Sequence, residues 1–154
     1  MITRCKDMSL IDLFMTLPEI RRYAAEYGAE DQPATEDERN IWLVYSIDDD
    51  PIGIINLHMI TGCAAQFHPY ILRSGKTYYN EMVNEFFGWF MDNAPEEIEK
   101  LNVIIPDIYK GALKAANVAK MVTEGVDRKS WLTENGPCDR ILLGITRGEL
   151  CQRS

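Results

Sequence analysis

The 154 residues contain no apolar run long enough to span a bilayer, and the first seven, Met1-Ile2-Thr3-Arg4-Cys5-Lys6-Asp7, hold no leader-like apolar core. Both absences lead to the expectation of a cytoplasmic chain with no membrane partner. Histidine is scarce, with His58 and His68 alone. The four cysteines (Cys5, Cys63, Cys138, Cys151) form no C-x-x-C pair, and no His/Cys spacing matches a zinc site. Outside a secretory context, four reduced thiols are expected and no metal. Basic residues are outnumbered, 16 Lys and Arg against 24 Asp and Glu, for a net charge of −8. Coating nucleic acid requires a basic footprint, so charge argues against that class of partner. The sequence also lacks an internal repeat and any low-complexity tract.

What is present suits one globular domain over 1–154: 46% hydrophobic and 26% charged residues, with an acidic loop at 30–40 and a tail at 148–154. Ser9 and Asp12 have capping-box spacing ahead of a helical run from Leu10 to Tyr27, which Pro18 should break in two. Ile41–Ile47, Ile52–Met59 and Cys63–Ile71 have strand character, with a turn at Asp48–Pro51. Tyr78/Tyr79, Met82/Val83, Phe86/Phe87 and Phe90 recur at helical spacing, the strongest periodic signal in the chain. A short strand at Asn102–Ile105 precedes a small-residue helix closing near Val122. Two strands, Gly125–Trp131 and Asp139–Arg147, flank Asn135-Gly136. Antiparallel hairpins around a central strand-helix-strand unit predict a mixed, mostly antiparallel α/β sheet.

The junction at Arg73-Ser74-Gly75-Lys76-Thr77 carries the most chemistry, because a strand runs there through two cations into a helix N-terminus that favours phosphate. Ser74-Gly75-Lys76-Thr77 is like the end of a P-loop, but Tyr70 stands where that motif needs its first glycine.

Ala65-Gln66-Phe67-His68-Pro69-Tyr70-Ile71, the loop from Arg73 to Tyr78, Asn102–Pro106, Ala112–Gly125 and Asp139–Gly144 together resemble the GNAT superfamily of acyl-CoA-dependent N-acetyltransferases. The resemblance implies a single GNAT-like domain whose fourth and fifth strands splay to admit acetyl-CoA. It assigns Tyr70, Ile71, Arg73, Ser74, Gly75, Lys76, Thr77 and Asn117 to the cofactor. The family's pyrophosphate loop, Gln/Arg-x-x-Gly-x-Gly/Ala, is departed from, since its glycine positions fall on Lys76 and Tyr78 and Gly75 comes one place early. Gln66 stands where many members have a glutamate base. The candidate base is His68, on the same strand face, or a water held near Gln66, and Tyr109 is the candidate acid in place of a family tyrosine matched by Asn117. The narrower resemblance is to acetyltransferase-like proteins of tailed phages, including a head-assembly family of lambdoid short-tailed phages. It implies, as an alternative, a non-catalytic assembly protein in the host cytoplasm with a phage structural partner. Residues 1–71 carry five basic and twelve acidic side chains, whereas 109–129 carry five basic and two acidic. That polarity predicts a cationic amine acceptor or a basic protein partner.

Overall fold

A computed structural model describes residues 1–153. Its elements, in chain order, are β1 (Ile2–Cys5), α1 (Met8–Thr16), α2 (Pro18–Ala24), β2 (Asn40–Ile47), β3 (Asp50–Met59) and β4 (Ala64–Ile71). A 3-10 helix (Arg73–Tyr78) follows, then α3 (Tyr79–Asn93), β5 (Lys100–Pro106), α4 (Lys110–Val118), β6 (Val122–Thr133), β7 (Gly136–Thr146) and α5 (Arg147–Cys151). The strands form one seven-stranded sheet in the order β1-β2-β3-β4-β5-β7-β6, and only the β4–β5 contact is parallel. This is the mixed sheet around a strand-helix-strand unit that the sequence predicts.

Period-two alternation sorts the side chains between two faces. Leu43, Tyr45, Ile55, Leu57, Ala65 and Phe67 enter the larger core with α3, whose Met82, Val83, Phe86, Phe87 and Phe90 are all buried. Each such side chain contributes roughly 1.5–3 kcal/mol by leaving water. Trp42, Val44 and Ile54 point the other way and pack against Ile11 and Phe14 of α1.

The β4–β5 pairing covers only Ala64–Gln66 against Lys100–Asn102. Beyond it β4 stays on β3 up to Ile71, while β5 stays on β7 up to Pro106. The two strands therefore part after Gln66 and Asn102, leaving a wedge whose edges have no backbone partner in each other.

Local differences from the sequence reading have local causes. β1 is a four-residue edge strand paired only with β2, too short to show periodicity. The first helix is capped by Asp7, whose Oδ1 accepts from the Ser9 and Leu10 amides, so Ser9 is helical; Asp12 accepts from the Ala34 amide instead. Pro18 opens α2 at its first turn, where its missing N–H costs nothing. Asp48 and Asp49 both take positive φ (49° and 66°), a two-residue hairpin turn that frees Asp50 and Pro51 to begin β3. Val122 starts β6 and does not end α4. Residues from 148, expected as tail, continue into α5, where Thr146 and Glu149 form a reciprocal capping box and Leu150 is buried.

Candidate functional site

On the face of the sheet that carries α1 and α2, the last paired residues of the wedge are polar. Gln66 lies beside Asn102 on β5 and opposite His58 on β3, and His68 lies opposite Asn56. The side chains link up: Gln66 Nε2 is 3.0 Å from His68 Nε2, His58 Nδ1 is 3.4 Å from Asn56 Oδ1, and Asn56 Nδ2 donates to Asn40 Oδ1 at 2.7 Å. The His58 and His68 rings stack with centroids 5.4 Å apart, and Tyr70 continues the row. Burial, helped by the neighbouring His58, pushes the His68 imidazole down to about 4, and burial lowers His58 as well. A neutral His68 accepts the Gln66 amide hydrogen at Nε2 and carries its own proton on Nδ1.

The opposite side of the wedge is apolar. Phe67 and Pro69 of β4, Val103 and Ile105 of β5, Tyr79 and Val83 of α3 and the alanine face of α4 (Ala112, Ala115, Ala116, Ala119) line a narrow pocket with Met121. Small residues keep α4 away from filling it. Burial pushes the Tyr79 phenol up to about 12, so it stays a neutral hydrogen-bonding group.

Past the end of β4, Arg73–Tyr78 forms a 3-10 helix in place of the polar loop expected. Arg73, Ser74, Lys76 and Thr77 are exposed. Gly75 is buried, and a Cβ on it would lie 3.0 Å from Ile52 Cδ1 and 3.1 Å from Ile71 Cγ1. This glycine therefore serves close packing on β3 and β4. The Arg73 amide donates to Glu19 Oε2 (2.6 Å) and the Gly75 amide to the Leu72 carbonyl (2.9 Å). With those two amides engaged, the exposed Arg73, Ser74, Lys76 and Thr77 side chains are the groups at hand for an anion here.

Tyr109 caps the entry to α4 across the wedge from β4. Its hydroxyl donates to the Arg22 carbonyl at 2.8 Å and its ring meets Tyr23 edge-on at 5.0 Å. Burial raises its pKa. Asn117 is exposed on α4, away from the alanine face. The structure thus gathers Gln66, His68 and Tyr70 in one row, with Arg73–Thr77 at its end; Tyr109 is engaged with α2, and Asn117 stands apart. The sequence reading did not select Asn56, His58 or Asn102 for the site. Asn102, the one polar residue of Asn102-Val103-Ile104-Ile105, was the available signal.

No family sequence profile matches the chain, and no curated protein sequence does. Solved structures do. A spermidine N-acetyltransferase from Vibrio cholerae, in complex with CoA and spermine, aligns over 98% of this chain and 97% of its own with TM-score 0.81 at 14% identity. The ribosomal-protein-S18-alanine N-acetyltransferase from Escherichia coli aligns over 95% and 92% with TM-score 0.74 at 9% identity. A protein designated smu.2055 from Streptococcus mutans aligns over 95% and 98% with TM-score 0.72 at 12% identity. The narrower likeness to phage head-assembly proteins, and with it a phage structural partner, finds no support in these structures. The chain has the fold of the GNAT N-acetyltransferases, diverging fourth and fifth strands included.

Proposed function

We propose that the chain is an acetyl-CoA-dependent N-acetyltransferase acting on an amine. The observation that carries this reading is the wedge between β4 and β5, polar on one face and apolar on the other. Its residues fit the cofactor. The alanine-rich, apolar lining is of the kind a slender pantetheine arm needs, and the pocket's volume of about 20 Å³ means that β4 and α4 have to part further to admit it, with Tyr70 and Ile71 along the edge of β4. Arg73 and Lys76, with the Ser74 and Thr77 hydroxyls, supply charge and donors for the phosphates around the packed Gly75, and Asn117 is left to the outer rim. Bound there, acetyl-CoA supplies a thioester whose acetyl carbon gains a bond to nitrogen and loses its bond to sulfur, the thiol ending with the proton the amine gives up.

The chain's own part is placement. Gln66, held through its amide by His68 Nε2, has its amide oxygen left as a neutral hydrogen-bond acceptor for the amine, and holding two reactants in register removes much of a transfer barrier. His68 is a weak base at neutral pH because its protonated form is disfavoured. The test is calorimetry with acetyl-CoA, followed by detection of free thiol on adding amines. Micromolar binding and amine-dependent thiol release are expected; absence of binding at millimolar acetyl-CoA rejects the reading.

A further inference from the structure

We propose that the acceptor is a weakly basic amine of the α-amino type, bound in its neutral form by the Gln66–His68–Asn102 row, and that lysine-type and polyamine nitrogens are discriminated against. The inference rests on the transferase reading and adds the substrate class. It starts from what faces the end of the β4–β5 pairing. On β3 these are Asn56 and His58, on β4 Gln66, His68 and Tyr70, and on β5 Asn102. None is a carboxylate. The nearest charged pair along that face of β5 is Lys100 with Glu124, closed on itself at 2.6 Å.

Among the described residues, the carboxylates of the surrounding elements lie outside the row and most are tied to partners of their own; Asp107, past the end of β5, keeps one buried oxygen unpartnered, five positions along the chain from Asn102. Asp12 of α1 accepts from the Ala34 amide, and on α2 Glu19 accepts from the Arg73 amide. Beyond α2, Glu26 accepts from the Leu132 amide. Arg21 pairs with Asp31, while Arg22 stacks on Tyr23. An ammonium entering this row meets neutral oxygen acceptors and two histidines that already avoid a positive charge. Within the row it finds no carboxylate to offset its desolvation.

The missing carboxylate also fixes the proton problem. An amine attacks only with a free lone pair, and no group in the row takes its proton efficiently, since Gln66 cannot and His68 is a poor base. The amine has to arrive neutral. At pH 7.5 about one α-amino group in three is neutral, against about one lysine amine in 800, a difference on the order of two-hundredfold.

Two isomeric probes isolate this property: Nε-acetyl-lysine amide, with a free α-amine, and Nα-acetyl-lysine amide, with a free ε-amine. Calorimetry of each with the chain, in two buffers of different ionisation enthalpy, reads affinity and proton release without needing acetyl-CoA. The α-amine is expected to bind on the order of two-hundredfold more tightly, and the ε-amine to release about one proton per molecule bound. Gln66→Glu supplies the absent carboxylate. It should raise ε-amine affinity at least tenfold and abolish the proton release. An ε-amine that binds the unaltered chain as an ammonium, or as tightly as the α-amine, overturns the proposal. So does an absence of heat with either probe in both proteins. Thiol release with ε-amines at α-amine rates would overturn this inference and leave the transferase reading standing; failure to bind acetyl-CoA would overturn the transferase reading itself.

Discussion

His68 links the site to stability. The folded chain holds its imidazole neutral down to about 4, while an unfolded chain protonates it near 6.5. Stability from this group is therefore complete above pH 6.5 and declines as pH falls towards 4, by up to roughly 3 kcal/mol. Urea midpoints between pH 7.5 and 4.5 should show the decline, and His68→Asn should flatten most of it. An equal decline in the variant would assign the effect to other groups. Gly53 illustrates a constraint invisible in sequence: a Cβ there would sit 2.7 Å from Met82 Sδ and 3.0 Å from the Tyr70 carbonyl oxygen. The sulfur can give, but the backbone carbonyl cannot do so cheaply, so Gly53→Ala should lower stability by about 1–3 kcal/mol, measurable as a reduced urea midpoint. Residue-level legibility was uneven for the same reason. Gln66 is marked by the resemblance and His68 by sharing its strand face, whereas Asn56, His58 and Asn102 join them only through a register that one strand does not encode.

Among the elements, α2 has the least obvious task. Glu19 holds the Arg73 amide past the end of β4, and the Arg22 carbonyl holds Tyr109 past the end of β5. Just beyond the helix, Glu26 and Tyr27 bond the backbone of Leu132 on β6. Seven residues thus strap the open ends of two diverging strands. Tyr109→Phe removes one tie without removing the ring. It should cost about 1 kcal/mol and speed hydrogen exchange in α2. If the hydroxyl acts as a tether, the transfer rate should fall less than tenfold; a loss of a hundredfold or more would identify it as the acid. Legibility at this scale followed element length and periodicity. The fifteen-residue α3 declared itself through a buried stripe, and Pro18 marked the α1–α2 break. The five-residue α5 has too few turns to show a period. Its capping box, Thr146 with Glu149, was nevertheless written in the sequence, and Thr146→Ala should cost about 1 kcal/mol in thermal or urea unfolding.

Across the whole molecule, charge and site chemistry point to different parts of one acceptor. The row at the wedge is neutral, yet residues 1–71 hold twelve acidic side chains against five basic. Backbone amides satisfy Asp7, Asp12, Glu19 and Glu26 without cancelling their charge, and among the described residues only Asp31 and Glu36 of the twelve meet a cation, Arg21 and Arg4. The field of the N-terminal half therefore remains negative, while Lys110, Lys114 and Lys120 keep α4 and its end positive and exposed. On the α-amine proposal, a field of that kind would attract the body of a basic polypeptide while the neutral row takes its α-amine. Both demands are met by a peptide whose N-terminal residue is followed by Lys or Arg. Raising sodium chloride from 50 to 500 mM shortens the screening length to a few ångströms and should weaken binding of such a peptide about tenfold. A neutral peptide of equal length, anchored through the uncharged row alone, should change less than twofold. Equal salt responses would show that the acidic half plays no part in choosing the acceptor, and the selection would then rest on the row between β4 and β5.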